Sequence, residues 1–165
     1  MNPTERTAVE LAIRYERSQG RKVTYVGDGW PSPGLAGEVR EWGQGRHPGA
    51  RSFTCDLVSR EPDGSFARLI EVKGKGSRRS SVPIIDRQRE AMLGLGPDWW
   101  LYVVLDCDTT PVLVVVREPS RLPWKLITPA RELLEGRFRG VGDEGKWGTM
   151  PADVLAAGEQ VDVPS

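Results

Sequence analysis

The chain has 165 residues, 38% of them apolar, which is enough for one domain with its own core. Its 23 basic and 23 acidic residues cancel to a net charge of zero, which excludes a uniformly basic nucleic-acid-binding surface and leaves only local binding. Two cysteines, Cys55 and Cys107, exclude a disulfide scaffold and a cysteine zinc site, and no run approaches the roughly 18 apolar residues of a membrane helix.

From these features we expect reduced core thiols and a cytoplasmic protein with no membrane partner. The first expected element is a helix, with Asn2 as its cap, Pro3 in its first turn and Glu5 at the third helical position. Val9, Ala12 and Ile13, followed by Tyr15 or Glu16, keep helical spacing, and Gly20 supplies the stop. A short strand follows over Lys22 to Val26. Residues 27 to 50 are rich in glycine and proline without a sustained apolar period, and read as one long loop, either functional or disordered.

Ser52 to Ser59 alternates as a strand, Glu61 to Ser65 is turn-like, and Ala67 to Lys73 is a second strand, so the pair reads as a hairpin. Asp86 is placed to cap a short helix through about Leu93. Trp99 to Leu105 and Val112 to Arg117 are near-continuous apolar strands, buried on both faces, with a turn between them at Asp106 to Pro111. A last helix is expected over Pro129 to Leu134. The segment 140–165 reads as a polar C-terminal tail, with Trp147 and Val154 to Ala157 as its docking elements, which leaves residues 1–139 as the domain.

The chemistry concentrates on the hairpin. Glu71 and Lys73 stand two apart on a strand and point to one face, while Ile70 and Val72 point to the other. Taken alone, a Glu-x-Lys pair is most simply an ion pair across a pleated surface. Asp56 changes the weight of the pattern, because it interrupts the apolar run of the preceding strand and the hairpin brings it level with Glu71. Two carboxylates there could grip one hard cation such as Mg²⁺. The stretch Lys73 to Arg79, KGKGSRR, is the best local basic patch, or else a solvated surface loop. His47 is the only histidine and has no nucleophile motif near it, and no phosphate-cradling glycine loop is present.

Asp56 followed by Glu71-Val72-Lys73, between a helix carrying Glu10 and one carrying Gln88, resembles the restriction-endonuclease-like PD-(D/E)xK superfamily. More narrowly, the Cys55-Asp56-Leu57 strand, the run Glu71-Val72-Lys73-Gly74 and the strand Trp100-Leu101-Tyr102-Val103-Val104 resemble the NO VEIN C-terminal domain family, a group of predicted nucleases. The resemblance implies an α/β fold with a central mixed β-sheet of four to five strands flanked by helices. It implies Asp56 and Glu71 as metal ligands for Mg²⁺ or Mn²⁺, with the Val72 carbonyl as a third. Lys73 would orient or deprotonate the attacking water, Glu10 would reach in from the first helix, and Gln88 would support the site.

The implied partner is nucleic acid, with DNA the first expectation, in DNA processing or defence, and a homodimer or larger defence or repair complex would suit cutting of two strands. Lys75, Arg78, Arg79, Arg87 and Arg89 are the candidate backbone contacts. Glu10 and Gln88 also read as ordinary solvent-facing helix positions, and Glu16 competes with Glu10. The competing function is a non-catalytic module that keeps the fold and binds nucleic acid or protein through the basic loop. Intact Asp56, Glu71 and Lys73 favour the nuclease.

Overall fold

The structure is a computed structural model describing residues 1–128 and 144–165. Helix α1, Pro3–Ser18, begins in a capping box: the Glu5 N–H donates to the Asn2 side chain at 2.9 Å and the Asn2 N–H donates to the Glu5 carboxylate at 2.9 Å. Strand β1, Lys22–Tyr25, and helix α2, Pro33–Arg46, follow. The hairpin is β2, Leu57–Arg60, with β3, Phe66–Gly74. Next come β4, Val82–Ile85, and α3, Asp86–Leu95, then β5, Trp99–Leu105, and β6, Val112–Val116. The described chain ends with β7, Lys125–Thr128, β8, Lys146–Thr149, α4, Pro151–Ala157, and β9, Glu159–Val161.

Six strands form an open mixed sheet in the order β1-β2-β3-β5-β6-β9. All neighbours are antiparallel except β3 and β5, which the α3 crossover makes parallel. Alternation along the central strands feeds two cores. Ile70, Val72, Tyr102 and Val104 pack under Ala8 and Ala12 of α1, while Leu69, Leu101, Val103 and Leu105 pack against Val39 of α2, Met92 and Leu95 of α3 and Val154 of α4. Small residues let α1 lie close to the sheet. A Cβ on Gly74 would stand 2.6 Å from the Thr4 carbonyl oxygen, so the strand end needs glycine there.

Several expectations are corrected. The loop 27–50 contains α2, started by Ser32, whose hydroxyl accepts the Leu35 N–H at 3.2 Å, and by Pro33 in the first turn. Its buried stripe is built around Val39 and Gly43, so periodicity in side-chain hydrophobicity is weak. The first hairpin strand begins at Leu57 and not at Ser52, because residues 51 to 55 run irregularly beneath α2 and α3. Asp86 is the first residue of α3, and its carboxylate accepts from the Gly145 N–H and the Trp147 indole. Cys55 is buried but Cys107 is only half-buried.

The sheet has six strands where four to five were expected, and the sixth comes from the expected tail. Here β9 pairs with β6, and β8 lies between β4 and β7 in a second, three-stranded sheet. Backbone pairing, not side-chain hydrophobicity, places these short strands. The helix expected over Pro129 to Leu134 lies outside the described residues. Among the described residues there are four α-helices, none long and apolar enough to cross a membrane.

Two glycines of α2 separate helix propensity from packing. A Cβ on Gly43 would meet the Phe53 ring at 2.5 Å and Leu95 at 3.3 Å, whereas at Gly37 nothing lies within 4 Å. Gly37→Ala therefore stabilises the protein by about 0.5–1 kcal/mol, and Gly43→Ala reverses the sign, losing about 1–2 kcal/mol as Phe53 is displaced. Urea denaturation of both variants checks this. Equal stabilisation by both would show that α2 does not pack as described.

Candidate metal centre

The hairpin register puts Leu57 opposite Ile70, so the next residue back, Asp56, comes level with Glu71 as its spacing predicted. There β2 ends while β3 continues to Gly74. The Asp56 backbone is fixed on both sides, its N–H donating to the Ile70 carbonyl at 2.9 Å and its carbonyl accepting from Val26 N–H at 2.8 Å. Its carboxylate then replaces the missing strand, with Oδ2 accepting the Val72 N–H at 2.8 Å. A strand residue's N–H and C=O lie on the same edge, so the Val72 carbonyl faces the same gap. Two carboxylates and a carbonyl thus border one cleft, of about 390 Å³, which Glu5, Asp28, Lys73, Lys75 and Gln88 also line.

Glu71 is 1% exposed. Its Oε1 receives the Lys73 ammonium at 2.8 Å and the Gln88 carboxamide N–H, while Oε2 is buried with no hydrogen-bond partner among the described residues. Gln88 is held in turn, its Oε1 accepting from the Ile85 N–H at 3.0 Å and from Lys73 at 3.3 Å. Burial pushes the Glu71 carboxyl up to about 7 against the pull of Lys73, and the Asp56 charge adds to the rise. Asp56 is raised as well, mainly by burial, with the Val72 N–H and Lys73 opposing and Glu5 and Asp28 adding repulsion.

The carboxylates at the cleft repel one another and one oxygen lacks a donor, which is the condition a cation would relieve. The donors are all hard oxygens, and only two are carboxylates from the sheet, a set that fits Mg²⁺ or Mn²⁺ retaining water and substrate oxygens in its other positions. No group of three or more histidine, cysteine, aspartate or glutamate side chains suited to a metal occurs among the described residues, so the Val72 carbonyl would be needed as the third protein ligand.

The sequence expectations divide. Asp56, Glu71, Val72, Lys73 and Gln88 come together at the cleft. Glu10 does not, because it is exposed on the outer side of α1. Glu5, previously read only as a capping residue, lines the cleft, and Glu16 is buried away from it, paired with Arg21 at 2.7 Å. Asp28 was missed inside the supposed loop. Its place rests on the antiparallel pairing of β1 with β2, which carries residues just after Tyr25 toward Asp56 and which the sequence alone did not assign.

The basic stretch is not one patch. Lys75 turns into the cleft wall, donating to the Ser81 carbonyl at 2.8 Å, and Arg78 pairs with Asp106 at 2.7 Å, while Arg79 is exposed. On α3, Arg87 reaches Glu144 at 3.3 Å and Arg89 stacks over Trp147 at 4.1 Å. Trp99 is fully buried, its indole donating to the Thr54 carbonyl, and Trp100 carries Arg68 on its ring, so both serve packing.

A family profile described as "Protein NO VEIN, C-terminal" matches residues 4–116. The match runs from the first turn of α1 to the end of β6 and contains the two sheet carboxylates, Lys73 and Gln88. No curated protein and no solved structure matches the chain.

Proposed function

The chain belongs to the NO VEIN C-terminal family, and we propose that it is a divalent-metal-dependent nuclease of the PD-(D/E)xK type, hydrolysing phosphodiester bonds of nucleic acid, with DNA the first substrate to try. The observation that carries this reading is the asymmetry of Glu71. One carboxylate oxygen is clamped by Lys73 and Gln88, and the other is buried without a donor, beside a second carboxylate held by the backbone at a strand end. The Lys73 ion pair leaves the burial of that oxygen uncompensated, which a cation would offset.

Asp56, Glu71 and the Val72 carbonyl would hold the cation, which when bound supplies stabilisation of charge on the phosphoryl oxygens and activation of the attacking water. Lys73 projects from the same face of β3 as Glu71, where it orients that water and adds positive charge beside the phosphate. Gln88 positions both by bonding each of them. The Asp28 and Glu5 carboxylates at the rim add negative potential that favours a cation.

The test is cleavage of labelled single- and double-stranded DNA and RNA with Mg²⁺, Mn²⁺ or EDTA. Metal-dependent cutting is expected, falling about 10²-fold or more in Lys73→Ala and to background in Glu71→Ala. Salt-sensitive binding without cutting under any of these conditions would instead assign a non-catalytic binding module.

A further inference from the structure

Trp30 is 37% exposed and is the only aromatic among the large apolar side chains that stand in solvent in the described residues. It sits on the segment between β1 and α2, preceded by Gly27 and Gly29 and followed by Pro31, and its ring is part of neither core cluster. A single part-exposed tryptophan is ordinary on a surface, so what points to a ligand here is that this one lies between two cavities. The cavities on either side of it say which kind.

One, of about 290 Å³, runs from Trp30 past Arg87 to Asp56, Glu71 and Gln88. A second, of about 300 Å³, continues from Trp30 and Arg87 between α2 and α3, where Arg40, Arg51, Phe53 and Glu90 line it. Arg40 and Arg51 are exposed and form no ion pair among the described residues, so two uncompensated guanidinium groups stand there beside Arg87, which Glu144 pairs at 3.3 Å, and the Glu90 carboxylate. The metal-binding cleft lies at the far end of the first cavity through the shared Asp56, Glu71 and Gln88. The shared lining residues set the three cavities in series, with Trp30 between the arginines and the carboxylate pair.

We propose that this groove is a track for single-stranded nucleic acid, in which a base stacks on Trp30, Arg40, Arg51 and Arg87 hold successive phosphates, and the next phosphate reaches Asp56 and Glu71. The proposal rests on the nuclease reading and names its substrate class. Stacking on Trp30 requires an exposed base face, which a duplex hides between its neighbours, and a cavity of about 300 Å³ has room for an unstacked base. An aromatic platform beside a positive track binds any base, so affinity is expected to be sequence-tolerant and salt-sensitive.

The experiment measures anisotropy of labelled oligothymidylate, oligouridylate and a duplex of equal length with the full chain in EDTA, then cleavage of the same probes in Mg²⁺. Wild type is expected to prefer a single strand to the duplex, and the two oligomers decide between DNA and RNA. Trp30→Ala is expected to weaken single-strand binding about 5- to 100-fold with an unchanged thermal midpoint, and Trp30→Phe to recover most of it. Arg40→Ala and Arg51→Ala each reduce the salt slope by about one ion. Duplex cleavage that Trp30→Ala leaves at the wild-type rate, with no preference for single strands, overturns the track and spares the nuclease. Trp30-dependent single-strand binding with no cleavage of any probe upholds the track and overturns the nuclease, and no binding of any probe overturns both.

Discussion

Replacing Glu71 by glutamine is expected to stabilise the metal-free protein at about pH 8 while lowering metal-dependent cleavage about 10³-fold or more. The two effects share a cause. An ionised Glu71 is buried beside Asp56 with one oxygen unpartnered, and Lys73 and Gln88 compensate only the other. The folded carboxyl titrates at about 7 against an ordinary 4.5. Because the folded value is the higher one, the contribution of the neutral acid is complete below 4.5, declines between 4.5 and 7, and is lost above.

That rise caps the destabilisation of the wild type at about 3 kcal/mol, of which an uncharged glutamine recovers about 1–3 kcal/mol. Urea denaturation in EDTA is expected to find variant and wild type alike near pH 4 and separated at pH 8. A saturating cation closes the gap from the other side. Mg²⁺ at about 100 times its dissociation constant adds about 2.7 kcal/mol to whichever protein binds it, so the wild type gains thermal stability with Mg²⁺ above pH 7 and Glu71→Gln does not. A variant less stable than the wild type at pH 8 would make Glu71 a structural carboxylate and remove the argument for a cation.

The hairpin was legible because its signals were local. Alternation set which side chains share a face, and a single aspartate inside an apolar run singled out Asp56, although the expected strand ran back to Ser52 and the observed one starts just after Asp56 at Leu57. The first helix was legible in position but not in orientation. Ala8, Ala12 and Glu16 recur every four residues and form the stripe that packs on the sheet, with Glu5 three residues before Ala8 on the same stripe. Glu10 lies about 200° around the helix from Ala8, so choosing it over Glu5 meant reading the helix without its buried face.

The second helix hid for a different reason. It buries glycine where other helices bury leucine, and the information that Gly43 is a contact lives in Phe53 and Leu95, far along the chain. Strands β4, β7, β8 and β9 are three or four residues long and exist because partners supply their hydrogen bonds. Unlike β1, whose four residues alternate polar and apolar, they carry no alternation that tells them from loop. Trp30 was passed over with the segment that carries it, and only the cavities on each side of it give it a role.

Glu16, like Glu71, is almost wholly buried, and Glu16→Ala is expected to destabilise the protein by about 3–5 kcal/mol, lowering the thermal midpoint by about 10 °C or more. It is 0% exposed, yet every oxygen is used. Arg21 grips it at 2.7 and 2.9 Å, the Ser59 hydroxyl donates at 2.6 Å, Tyr102 donates from β5, and Arg68 stands 3.8 Å away. Burial alone would raise this carboxyl, but the bonds from Arg21, Ser59 and Tyr102 outweigh it and hold it below its ordinary 4.5. The sign is therefore opposite to that of Glu71. Its stabilising contribution is complete above 4.5 and is lost as pH falls through the lower folded value, so Glu16→Gln should flatten the acid limb of the stability curve, whereas Glu71→Gln acts on the neutral limb. Alanine leaves the Arg21 guanidinium, the Ser59 hydroxyl and the Tyr102 phenol without their acceptor between α1 and the sheet, while Arg68 still donates to Tyr102, which is why the loss exceeds that of an ordinary helix truncation. Denaturation across pH 3–9 for both pairs of variants measures the contrast, and a thermal midpoint for Glu16→Ala within about 2 °C of the wild type would mean that the network does not hold α1 to the sheet. The two carboxylates thus differ in what their surroundings complete: Glu16 is finished by the protein alone, and Glu71 is finished only by something the protein binds.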